Sequence, residues 1–105
     1  MIDALQTRLA QLVASGRTIT YGQLARDLGL CGPGVIAQLT QALEVLMEQD
    51  ARDGAPLRAA LCCGRLNGDL PAQGFFIKAA ALGCLGALTQ IEFVTAERAR
   101  LWHPA

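Results

Sequence analysis

The chain carries no surplus of charge: nine Lys and Arg stand against nine Asp and Glu, for a formal net charge of +0 at pH 7. Without a bulk field of either sign, nothing draws the molecule as a whole to nucleic acid or to an acidic membrane surface. Aromatics are sparse, with three Phe, one Tyr and one Trp in 105 residues. No apolar run approaches the roughly 18 residues that a membrane span needs, and residues 79–88 are broken by Gly83 and Gly86. No membrane partner is therefore expected. The N-terminus is amphipathic and carries Asp3, Gln6 and Arg8, unlike a secretory signal.

The residues of catalysis are equally scarce. The chain has one His, His103, almost at its C-terminus, and one Ser, Ser15. A Ser–His or Cys–His arrangement would need His103 to fold back onto a nucleophile. No glycine-rich phosphate loop is present, because Gly64–Gly74 lacks a basic residue at P-loop spacing. Cys31, Cys62, Cys63 and Cys84 lack the paired spacing of a zinc site. They read as small buried hydrophobes of a reduced, cytoplasmic protein. Glu44 and Glu48 share a helix face, and Asp50 and Asp53 follow closely, but such a cluster is ordinarily a solvated face. These observations predict a non-enzyme without cofactor or metal.

What the chain does have is helical periodicity in a composition that is 52% hydrophobic. A single domain over 1–105 of this length buries roughly 60 to 65 per cent of its unfolded surface. Ile2, Leu5, Leu9, Leu12 and Val13 predict a first helix that Gly16 closes. Arg17–Thr20 reads as a short edge strand, and Thr20 with Gln23 as a capping-box pair that starts a helix near Tyr21. Leu24, Ala25 and Leu28 give that helix a packing face, and Gly29 ends it. Pro33 is expected to open a third helix, with Ile36, Leu39, Leu43, Leu46 and Met47 inward and Gly54 at its end. Leu57–Cys63 is an apolar run of strand length, and Asn67-Gly68 is the strongest hairpin signal in the chain. Two further helices are expected over Phe75–Leu82 and Thr89–Leu101. The order predicts an α+β winged helix-turn-helix with a small β-hairpin wing and two additional C-terminal helices.

The segment Gly16-Arg-Thr-Ile-Thr-Tyr-Gly-Gln-Leu-Ala25 resembles the start of the DNA-binding domain of alkylguanine-DNA alkyltransferases and their alkyltransferase-like relatives. The resemblance implies that Ile36–Leu43 corresponds to a recognition helix and 56–70 to the active-site and wing segment. It does not extend to the family's chemistry. The Pro-Cys-His-Arg positions read Arg58, Ala59, Ala60 and Leu61 here, and the intercalating arginine falls at Ala37. Of the functional set only Tyr21 is kept. Alkyl transfer is therefore not expected.

In that geometry Gln38 and Gln41 are the base-reading candidates for double-stranded DNA. Arg17, Tyr21 and Arg26 are placed to hold phosphates, with Arg65 and Asn67 on the wing. Gly34–Gln41 contains no Lys or Arg and Asp27 stands beside Arg26, so weak binding is expected. The alternative is a protein-protein interaction or dimerisation module that has lost DNA binding, with the Trp102 region as the dimer contact.

Overall fold

The computed structural model describes residues 1–104. Its elements run in the order α1 (Ile2–Ser15), β1 (Ile19–Thr20), α2 (Tyr21–Asp27), α3 (Val35–Arg52), a 3-10 turn (Arg58–Leu61), β2 (Cys62–Cys63), α4 (Gln73–Ala81) and α5 (Gln90–Trp102). Among the described residues no helix is long and apolar enough to cross a membrane.

Helical spacing builds the core directly. Leu5, Leu9 and Leu12 are the buried stripe of α1, and Leu39, Leu43, Leu46 and Met47 are that of α3. Leu24 and Ala25 bring α2 onto the same cluster. From the C-terminal side come Phe75 and Phe76, whose rings meet edge-on at 5.1 Å, and Phe93, 6.0 Å from Phe75. Each such side chain contributes about 1.5–3 kcal/mol through removal from water. At the centre lies the 3-10 turn, whose Ala59, Ala60 and Leu61 are buried and which touches α1, α3 and α5.

The winged helix-turn-helix expected from the sequence is not the fold, which is a small helical domain with one two-residue parallel strand pair. Ile19 pairs with Cys62 and Thr20 with Cys63, in parallel. The Leu57–Cys63 run is mostly the 3-10 turn, since a fully buried apolar stretch has no periodicity to separate strand from helix. No β-hairpin wing forms over 64–71. Cys62–Cys63 pair with β1 on one edge, and Pro71, without an N–H, ends the returning arm before it can add a ladder on the other. The loop closes on itself instead. Gly64 N–H donates to Leu70 O at 3.0 Å, Asn67 N–H to Gly64 O at 3.2 Å, and Leu70 N–H to Asn67 O at 3.2 Å. Gly68 supplies the left-handed residue, with φ of 64°. Pro33 lies in the α2–α3 connection, because Gly34 is the cap and α3 starts at Val35.

Two buried charges lock the turns together. The Asp50 carboxylate on α3 accepts from Arg58 N–H at 3.0 Å and from its Nε at 3.0 Å, with one terminal guanidinium nitrogen at 2.8 Å. Asp50→Ala should lower the unfolding free energy by about 2–3 kcal/mol, because it strands the Arg58 backbone donor and a partly sheltered guanidinium. Urea unfolding measures it, and a loss below about 0.5 kcal/mol would contradict this role. The second clamp, Arg98 on α5, grips the 64–70 loop and the 3-10 turn at once.

Candidate nucleic-acid interface

The candidate surface begins where β1 hands over to α2. Thr20, at the helix cap, accepts from Gln23 N–H at 3.2 Å. Gln23 does not return the bond as a capping box would. Its amide spans the next turn instead, donating to Asp27 Oδ1 at 2.7 Å and accepting from Arg26 at 2.9 Å. Asp27 also takes Arg8 Nε of α1 at 3.0 Å. The hydrogen bond from Gln23, then that from Arg8, holds the Asp27 carboxyl below its ordinary value. Asp27 is therefore engaged by α1 and does not form an ion pair with Arg26.

Tyr21 stands at the first turn of α2 with its ring half-buried and its hydroxyl accepting from Ala72 N–H at 3.0 Å. Burial pushes its hydroxyl up to about 12, against the opposing pull of that backbone donor. Tyr21 thus ties the start of α2 to the start of α4 and stays neutral. Around it opens a cleft of about 550 Å³ lined by Thr20, Tyr21, Gly22, Arg26, Ile36 and Arg65. No carboxylate lines it. Its size falls within the range of small-ligand sites, but it lies open at the surface and two of its six lining residues are arginines.

The distribution of ion pairs explains how a neutral chain keeps a basic face. Arg8–Asp27, Arg58–Asp50, Lys78–Glu48, Arg98–Asp69 and Arg100–Glu97 are joined. Among the described residues Arg17, Arg26, Arg52 and Arg65 have no acidic partner. Three of these four border β1, α2 and the 64–70 loop. Net charge hides this segregation.

Of the seven residues singled out in the sequence, the cleft gathers Tyr21, Arg26 and Arg65. Arg17 is exposed just before β1, while Gln38 and Gln41 are exposed on α3 beyond Ile36 and outside the cleft. Asn67 does not project from a wing. Its side chain lies over Gly64, where an added Cβ would meet Nδ2 at 2.7 Å, so the amide is part of the loop's own construction. Sequence reasoning missed Thr20, Gly22 and Ile36 as cleft walls. Ile36 was assigned to the core from its spacing, yet it is 44% exposed.

The groups considered for chemistry are engaged elsewhere. Cys62 is fully buried, and burial followed by the neighbouring Cys63 pushes its thiol up to about 12. Burial raises Cys63 too, and its Sγ sits 3.5 Å from Ile19 O. Glu48 is held by Lys78 and Asp50 by Arg58, which dissolves the carboxylate cluster. Among the described residues no three of His, Cys, Asp and Glu gather to hold a metal ion. Trp102 packs against the core cluster with its Nε1 enclosed and unpartnered, so the terminal ring is engaged within its own chain. No family model, curated protein or solved structure matches this chain.

Proposed function

We propose that this chain is a non-catalytic helical module that binds double-stranded DNA weakly, through the face formed by β1, α2 and the 64–70 loop. The observation that carries the reading is the convergence of Arg26 and Arg65 on a cleft free of carboxylates, with exposed, unpaired Arg17 just before β1 in the chain. In this reading the three guanidiniums take phosphates, while exposed Gln38 and Gln41, on the uncharged first turns of α3, approach base edges. The four free cysteines favour action in a reducing compartment, the cytoplasm.

Titration of a labelled duplex by anisotropy across ionic strengths tests the proposal. Three phosphate contacts give a slope of log K against log salt of roughly −2.7. Arg26→Ala and Arg65→Ala should each reduce that slope by about 0.9, whereas Arg52→Ala, on the far end of α3, should leave it unchanged. Absence of duplex binding at the lowest salt would overturn the proposal.

A further inference from the structure

The apex of the 64–70 loop carries a side chain that the fold does not use. Leu66 is 93% exposed, well beyond Ile77 at 70%, the next most exposed large hydrophobic residue. A solitary exposed leucine means nothing on a loose loop, where it can fold back onto the surface. This loop is built. Three internal backbone hydrogen bonds close it, and the Asn67 amide lies over Gly64. Its descending arm is bolted to the body by Arg98, which donates to Asp69 O at 2.7 Å and to Asp69 Oδ2 at 2.9 Å. The result is an apolar tip held out into water beside unpaired Arg65, a member of the basic cleft.

We infer that Leu66 is an insertion wedge for duplex DNA: it enters a base-pair step from the groove while Arg65 holds the adjacent phosphate. This rests on the DNA-binding reading above and names how that surface engages its partner. Apolar side chains such as leucine open base steps in this way when a cationic frame holds the backbone. A rigid mount matters, because the side chain reaches the duplex already ordered and no loop freedom is lost on binding. The surroundings favour nucleic acid over a lipid surface. Anchoring in a bilayer draws on several apolar side chains, whereas Leu66 is followed by Asn67, Gly68 and the 73%-exposed Asp69 carboxylate.

The test uses the full chain and a duplex with 2-aminopurine at a pyrimidine–purine step, read by fluorescence for unstacking and by anisotropy for affinity. Leu66 has almost no neighbours, so Leu66→Ser keeps the fold, which far-UV circular dichroism verifies. The expected result is a rise in 2-aminopurine fluorescence with the native chain. Leu66→Ser should lose that rise and bind at least about ten-fold more weakly, with an unchanged salt slope. Leu66→Phe should keep the rise. Arg65→Ala, by contrast, should reduce the slope. Native-like affinity and fluorescence for Leu66→Ser would overturn the wedge while leaving the DNA-binding reading intact. Failure of the native chain to bind the duplex would overturn both. So would Leu66-dependent capture on anionic phosphatidylserine vesicles without duplex binding.

Discussion

Arg98→Ala should lower the unfolding free energy by about 3–5 kcal/mol, a large part of what a domain this size has. The guanidinium is 9% exposed and makes three bonds: Nε to Ala60 O at 2.8 Å, one terminal nitrogen to Asp69 O at 2.7 Å, the other to Asp69 Oδ2 at 2.9 Å. Asp69 itself is 73% exposed, so its carboxylate is screened and its share is small. The loss comes from the two backbone carbonyls left without this donor, Ala60 O deep in the 3-10 turn and Asp69 O in the 64–70 loop. Asp69→Asn should therefore cost under about 1 kcal/mol. Arg98→Lys should recover little, because an ammonium cannot span the three acceptors that the planar fork reaches. Urea unfolding of the three variants checks the order. Equal losses for Arg98→Ala and Asp69→Asn would show that the ion pair, not the carbonyl bonds, carries the clamp.

Raising the pH should destabilise the fold steeply between about 9 and 12. The Cys62 thiol ionises from its ordinary 9.0 when unfolded but is held at about 12 in the fold, chiefly by burial. Below pH 9 both states are protonated and the full stability is present. As pH climbs toward 12 only the unfolded chain releases the proton, so unfolding is favoured by up to about 4 kcal/mol. Tyr21, raised from 10.0 to about 12, acts in the same direction over the upper part of that range. Urea unfolding at stepped pH under reducing conditions should show the fall, and Cys62→Ala should remove the largest single part of it, with Tyr21, Cys63 and Cys84, all raised by burial, carrying the rest. Tyr21 is the only tyrosine, so absorbance at its phenolate band reports its titration without overlap. Stability constant to pH 11 would contradict the burial of Cys62.

The helices were legible in the sequence because their apolar periodicity and stop residues agree. Gly16 ends α1 and Gly54 follows α3, and the inward leucines of both helices are the buried ones. The wing was not legible. Asn67-Gly68 does turn the chain, but a turn signal says nothing about whether flanking backbone is free to pair. Here Cys62–Cys63 pair with β1, 43 residues earlier, and the arm beyond Asn67-Gly68 meets Pro71 within three residues. Arg98 was equally hidden, since an arginine between Glu97 and Ala99 in a helix of mixed charge reads as solvated surface. At the candidate interface, Tyr21, Arg26 and Arg65 could be named from residue type. That Asp27 would engage Arg8 and leave Arg26 unpaired is a fact of tertiary packing between α1 and α2.

The brevity of β1 and β2 has a consequence for how copies of this chain meet in crowded solution. Each strand is an outer one, yet each offers only two residues of backbone. An incoming extended segment finds too few unpaired groups to template a ladder, so accretion by edge-to-edge strand addition has no foothold on the native state.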